Sequence, residues 1–520
     1  MRPHDYETRT ARMEEGTGLT RTTTKARTPL DRRRAGVVLH PTSLPGEAPV
    51  GGLGPAAFRF VDLLARSGLS VWQVLPLGPT APLGSPYQGE SAHAGNTWLI
   101  GLEPLRAQGW LEDDSAPPQA LDAWAAWHAA RLREARAGFL ARADQAERRS
   151  LAAFCETNAE WLDDYVLFRA LSHEHDERPW WEWAPELRDR EPAALATTRG
   201  RLAAVLDQHR FEQYLFYRQW AELRRYANTQ GILLFGDMPI FVAHNSADVW
   251  AEPQYFDLDA QGQPRHVAGV PPDYFSATGQ RWGNPLYDWE AMQADDFAWW
   301  ERRLRTLETQ FDLIRVDHFR GFQAYWSIPA GEETAIRGQW VTAPGEALFR
   351  RLRERLGNLP LVAEDLGTIT PEVEALRDAW GLPGMKILQF AFDGSPDNPY
   401  LPDHHVDNAV VYTGTHDNDT SLGWYASLDE ATRRYVHDYL GEPDEPMPWP
   451  LIRAALGSVA RLAMVPMQDL LALDGGHRMN VPGTVKDNWA WRFDWDQVGD
   501  DLPPRVRHLV ELYDREGGEV

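Results

Sequence analysis

Acidic residues recur where short apolar, β-branched runs end. The run GILLFGDMPIF (231–241) carries Asp237, and FDLIRVDHF (311–319) carries Arg315, Asp317 and His318. LPLVAEDL (359–366) supplies Glu364 and Asp365, AVVYTGTHD (409–417) ends in His416 and Asp417, and LAMVPMQDL (462–470) holds Gln468 and Asp469. A buried carboxylate is costly unless it is paired or used. Pairing alone is a poor account of five strands that all end in acid. Asp317, Glu364 and Asp417 therefore read as functional. Asp237 and Asp365 could equally be ion-pair partners, and Asp469 reads as structural.

Several chemistries are disfavoured by what accompanies these acids. A calcium loop starting at Asp417 would need Gly at its sixth position and Glu at its twelfth; Leu422 and Leu428 stand there. No HExxH or Cys/His cluster is present, so no catalytic metal is expected. Neither a P-loop nor a Gly-rich dinucleotide turn occurs, and no GxSxG elbow offers an acyl nucleophile. Glycoside chemistry remains, and it needs two carboxylates in different protonation states. Arg315 lies two residues before Asp317, on the same strand face, and favours an ionised Asp317 as nucleophile. Glu364 follows Leu-Val-Ala with no basic residue near it in sequence, so burial should raise its proton affinity and suit it to be acid and base. Asp417 is placed to grip ring hydroxyls and stabilise an oxocarbenium-like transition state, with His416 beside it.

The elements that must hold these residues are legible. Eight buried-strand patterns occur, the five above plus AGVVLHPT (35–42), SVWQVLPL (70–77) and MKILQFAF (385–392). Helical patterns lie between many of them, including FRFVDLLARSG, AWWERRLRTLETQ, PGEALFRRLRERLG and PEVEALRDAWG. Eight strand–helix alternations predict a (β/α)8 TIM barrel, with a doubly wound sheet as the alternative. A barrel gathers the C-terminal strand ends on one face, where these acids would converge. Two insertions are expected: a large helical one after the second strand (about 80–226), and a Gly/Pro/aromatic loop after the third (about 244–300). Residues 1–33, polar and Thr/Arg-rich, read as a disordered leader without a secretory signal's apolar core, ahead of a catalytic barrel spanning 34–520.

Composition bounds the partners. The chain has 520 residues, 43% hydrophobic and 25% charged, with a formal net charge of −24, which argues against nucleic acid and anionic membranes and suits a neutral ligand. No apolar run is long enough to span a bilayer. The one cysteine, Cys155, lies in SLAAFCETNAEWLDDYVLFRAL, read as one amphipathic helix. Without an intrachain disulfide the chain suits the reducing cytoplasm. Twenty-three tryptophans are a high number, consistent with sugar stacking as well as with core.

Longer strings carry a resemblance. HPTSLPG, WQVLPLGPT, GSPYQ, FGDMPIFVAHNSADVW, GVPPDYFSATGQRWGNPLYDW, IRVDHFRGF, VAEDLG, LPGMKILQFAFDG, YTGTHDNDT and RMNVPGT resemble, in order, those of the amylomaltases, or 4-α-glucanotransferases (disproportionating enzymes), of the α-amylase superfamily. The resemblance spans about 35–493. It implies transfer of α-1,4-glucan segments between maltooligosaccharides with retention of configuration and without cofactor. It implies Asp317 as nucleophile, Glu364 as acid and base, and Asp417 as transition-state stabiliser. Arg315, His416, Asp237 and Tyr87 would form the sugar subsite before the cleaved bond. Tyr274 and Phe275, on a loop 269–276 arching over the glucan, would contact substrate, as would Trp282 and His318. This chain departs from the family pattern at Glu90 and His93, where aromatics are usual, at Leu473–His477, and at Asp487. Those positions bear on acceptor contacts and chain-length preference. An α-glucan hydrolase with the same carboxylates and a catalytically silent glucan-binding protein are the alternative readings.

Overall fold

The computed structural model describes residues 29–80, 84–272, 276–484 and 486–517. Their strands are β1 (Arg34–Val38), β2 (Val71–Gln73), β3 (Leu233–Met238), β4 (His266–Val270), β5 (Gln280–Pro285), β6 (Leu313–Val316), β7 (Ala324–Pro329), β8 (Gln339–Thr342), β9 (Leu361–Ala363), β10 (Gly384–Ile387), β11 (Ala409–Tyr412) and β12 (Leu462–Pro466). Eight of these coincide with the expected runs and form one sheet, in the order β10-β11-β12-β1-β2-β3-β6-β9, with every pairing parallel. The two ends meet. The Ala363 N–H donates to the Pro383 carbonyl at 2.8 Å, and the Met385 N–H donates to Asp365 at 2.7 Å. The sheet is thus a closed (β/α)8 barrel, and the doubly wound alternative falls.

The apolar runs are continuous because both strand faces are buried. Val71, Phe235, Leu313, Val362, Met385, Val410 and Met464 form one cluster, inside the barrel. Their chain neighbours, among them Trp72, Leu234, Ile314, Leu361, Ala363, Val411 and Ala463, pack outward against the helices. The helices Pro55–Arg66, Ala298–Gln310, Gly345–Leu356 and Pro371–Ala379 match the sequence patterns. Thr370 stands at the N-cap of the last, but its side chain makes no cap hydrogen bond; Pro371 at the first turn, with φ pre-set, starts the helix.

Between β2 and β3 lie the helices Leu121–Arg142, Gln145–Thr157, Ala159–Glu174, Pro192–Arg201 and Ala203–Thr229. The segment around Cys155 is two helices rather than one. It breaks at Asn158, whose amide donates to the Phe154 carbonyl (2.8 Å) and accepts from Trp161 Nε1 (3.1 Å). The helix Ala203–Thr229 is stitched to the segment that follows β2 by two buried glutamines. Gln213 and Gln219 each make a pair of hydrogen bonds, at 2.8 and 2.9 Å, to the backbones of Gly95 and Gly101.

Two further expectations change. The stretch 244–300 is more than a loop: it holds β4 and β5, which join β7 and β8 in an antiparallel sheet ordered β5-β4-β7-β8. These strands are short and Gly/Pro-interrupted, and β4 pairs with β7 from beyond β6, so no local pattern marks them. The leader reading also extends too far. Leu30 is buried and Arg33 donates to the carbonyls of Leu456 (3.2 Å) and Ser458 (2.7 Å), so 29–33 pack under the barrel. The rest of that reading, 1–28, lies outside the described residues. Among the described residues no helix is long and apolar enough to cross a membrane.

Candidate active site

The acids do converge at the C-terminal mouth of the barrel. Asp237 and Arg315 are registered opposite each other on β3 and β6. Arg315, 6% exposed at its side chain, spreads its guanidinium between two carboxylates: Nη1 donates to both oxygens of Asp237 (2.8 and 2.9 Å), and Nη2 lies 2.9 Å from Asp317 Oδ1. A planar fork suits this geometry; an ammonium would not reach both. The two-residue spacing read in the sequence thus becomes a direct contact.

Tyr87 closes the other side. Its hydroxyl donates to Asp237 Oδ2 at 2.7 Å and lies 2.9 Å from His416 Nε2, with the rings stacked at 5.3 Å. His416 in turn lies 3.5 Å from Asp417 Oδ1. Burial, then the neighbouring Asp237 charge, push the Tyr87 hydroxyl well above its usual range, which keeps it a donor.

Glu364 sits deeper. Its Oε2 accepts the His318 N–H at 2.6 Å and its Oε1 accepts the Leu366 N–H at 2.9 Å. His318 can present that amide because its backbone is left-handed, φ 51°. Its ring stands edge-on to Trp282 at 4.8 Å and its buried Nε2 has no hydrogen-bond partner. Burial, then the Arg320 charge, push the ring down to about 3, so it is neutral.

Burial raises both the Glu364 and the Asp317 carboxyl. Glu364 moves up to about 7: desolvation dominates, Arg315 opposes it, and Asp317 adds to it. The sequence placed no cation near Glu364; the fold brings Arg315 there. Asp317 also moves up, to about 6, because burial outweighs Arg315 and because Asp237 and Asp417 repel its charge. Sequence reasoning expected Arg315 to prevail at Asp317. Its side chain keeps 30% exposure to the cleft, and water there offsets part of the burial penalty. The order of proton affinity, Glu364 above Asp317, is the one expected.

Asp317 and Asp417 open into a cleft of ≈ 1030 Å³, also lined by Tyr87, Gln280, Trp282, Asn480 and Trp489. Asn480 escaped the sequence reading. Its amide donates to Asp417 Oδ1 at 2.6 Å, and Arg478 donates to the Asp417 carbonyl at 2.9 Å. The string RMNVPGT contains both, yet no local signal ties them to a residue so far upstream. Tyr274 and Phe275 lie outside the described residues. Asp469 is structural as expected, accepting from Thr413 Oγ1 and from Ser421 N and Oγ. No cluster of three or more metal-ligating side chains occurs among the described residues.

A closed barrel whose mouth gathers three carboxylates, a forked arginine and an aromatic-lined cleft defines a class, the carboxylate-based enzymes acting on sugars. Comparison with known proteins narrows it. Residues 39–497 match the model of glycoside hydrolase family 77, 4-α-glucanotransferase, and the chain belongs to that family. It is 49% identical over 498 residues to a 4-α-glucanotransferase of Synechocystis sp. (94% of this chain, 99% of that one). It is 50% identical over 495 residues to one of Thermus thermophilus (93% and 99%). Among solved structures, the amylomaltase from Streptococcus agalactiae in complex with acarbose superposes with a TM-score of 0.89 at 36% identity, covering 94% of this chain and all of that one.

Proposed function

We propose that this 4-α-glucanotransferase works by double displacement through a glycosyl-enzyme on Asp317. In the first step Glu364 gives its proton to the glycosidic oxygen while Asp317 attacks the anomeric carbon, and the acceptor-side fragment leaves. In the second, Glu364 takes the proton of an acceptor 4-hydroxyl, which displaces Asp317, and two inversions retain the α configuration. Asp417, steadied by Asn480, would hold ring hydroxyls beside the oxocarbenium-like centre. Arg315, Asp237, Tyr87 and His416 would shape the sugar subsite, Trp282 would stack on the glucan, and the His318 backbone would hold Glu364. With one cysteine and so no intrachain disulfide, a cytoplasmic location fits.

The observation that carries this reading is the division of environments. Glu364 is partly buried behind the residues that line the cleft and its carboxyl is pushed up to about 7, while Asp317 lines the cleft and is braced by Arg315 at 2.9 Å. A maltosyl fluoride given to Glu364→Gln should load Asp317, whose peptide would gain the glycosyl mass; a label on another residue would overturn the assignment. Maltotriose should yield glucose and a ladder of longer maltooligosaccharides. Shorter sugars alone would mean that water, not an acceptor glucan, takes the chain.

A further inference from the structure

Asp365 takes no part in these steps, yet its side chain is only 4% exposed. It follows Glu364 directly, at the seam where the barrel closes. β9 and β10 share no ladder; past the Ala363-to-Pro383 hydrogen bond, the Asp365 carboxylate takes over. Oδ1 accepts the Met385 N–H at 2.7 Å, and Oδ2 receives Arg377 Nη1 from the helix Pro371–Ala379. Gly384 makes room: a Cβ there would lie 2.4 Å from Asp365 Oδ2 and 3.0 Å from Arg377 Nη1.

We propose that Asp365 and Arg377 are a positioning pair that closes the barrel seam at the root of Glu364 and cancels the charge the seam would otherwise place beside the acid/base. The proposal rests on Glu364 having that role. Glu364 faces Arg315 and Asp317 from the β6 side, and the charges of both it and Asp365 act on Tyr400. Asp365 also faces Lys386 on β10, and Glu374, on the helix of Arg377, acts on Lys386. Lys386 Nζ stands 5.5 Å over the Tyr400 ring, whereas Arg377 contacts the Asp365 carboxylate directly; Arg377 also reaches Asp378 on its own helix at 2.8 Å, but that carboxylate is largely exposed and screened by water, so Arg377 is the counter-charge of the buried Asp365. Removing one member leaves a net charge near Glu364; removing both restores neutrality.

The test is the pH profile of kcat for maltotriose disproportionation by the full-length enzyme. Arg377→Met should raise the alkaline limb, because an uncompensated Asp365 disfavours ionisation of Glu364, by about 0.5–1 pH unit. Asp365→Asn should lower it, and the double variant should return it to the wild-type position, with KM changing less than kcat throughout. Arg377→Lys, which keeps the cation, should rescue. Opposite shifts that cancel are a charge signature that loosened packing would not produce. Limbs that stay put, or that move the same way in both single variants, would overturn the proposal. If Arg377→Met does not fold, Arg377→Gln keeps a donor for Asp365 without the charge and reads the same limb. Glu364→Gln, read with an activated glycosyl fluoride that needs no proton donor, separates the two layers. An alkaline limb that survives it defeats the acid/base reading, whereas a limb lost there but unmoved by the pair variants defeats only the seam.

Discussion

Asn480 offers a quantitative test of how the third carboxylate is held. The residue is 9% exposed and its amide donates to Asp417 Oδ1 at 2.6 Å, while the Asp417 side chain is 48% exposed. A hydrogen bond to a charged acceptor contributes about 1.5–3 kcal/mol. Solvent around Asp417 screens it, so about 1–2 kcal/mol is the working figure. If Asp417 acts mainly in the transition state, Asn480→Ala should lower kcat/KM by about 5–30-fold with little change in KM. Asn480→Asp is nearly isosteric but puts an acceptor where the donor was. Two carboxylates in such contact raise the proton affinity of one of them, and the pair shares a proton until pH passes its apparent pKa. Below the apparent pKa of that proton an O–H···O bond replaces the lost amide bond; above it the two charges repel. The Asn480→Asp deficit relative to wild type should therefore shrink as pH falls, while the Asn480→Ala deficit stays flat. Initial rates of glucose release from maltotriose across the weakly acidic to weakly basic range measure both. Wild-type rates in Asn480→Ala, or a pH-independent deficit in Asn480→Asp, would refute the reasoning.

Three further outcomes are expected. In the proposed mechanism the active form has Asp317 ionised and Glu364 protonated, so kcat/KM should rise as pH passes upward through about 6 and fall through about 7, as properties of the coupled pair. With an activated glycosyl fluoride, Glu364→Gln should keep the acid limb and lose the alkaline one; a surviving alkaline limb would mean another group holds the proton. The raised Asp317 pKa makes the native state bind more protons than the unfolded one between the ordinary carboxylate range and about 6, so wild-type stability should decline as pH rises through that window. Asp317→Asn should be free of that loss and melt higher than wild type above it; a lower melting temperature at every pH would contradict the burial argument. Asp469→Ala strands the Thr413 and Ser421 hydroxyls and the Ser421 N–H and should cost about 3 kcal/mol in denaturant unfolding. A loss under about 1 kcal/mol would show that these donors find other partners.

Much of the architecture was legible because it rests on local periodicity. Each barrel strand is apolar on both faces, and helices such as Ala298–Gln310 repeat with period near 3.6. The Arg315–Asp317 contact was also legible, since alternation along one strand dictates it. The antiparallel sheet was not: β4 and β7 pair across the whole of β6, and their glycines and prolines read as loop. Asn480 and Arg478 were invisible for the same reason, since a hydrogen bond across 63 residues of chain leaves no periodic trace. Asp365 was ambiguous in sequence. The partners that decide its role, Arg377 and the Met385 amide, come from a helix and a strand that meet only when the barrel closes.

By itself the sequence determined which carboxylates stand at strand ends and which face each shares, because backbone geometry sets side-chain direction within one strand. It also ranked Glu364 above Asp317 in proton affinity, an order the structure keeps although Arg315 acts on both carboxyls. Tertiary structure alone decided how strongly each carboxyl is shifted. Burial comes from every element packed around the mouth, and here it outweighs Arg315 at Asp317 and carries Arg315's field to Glu364 as well. Desolvation is summed over three-dimensional surroundings, and no spacing along the chain encodes that sum.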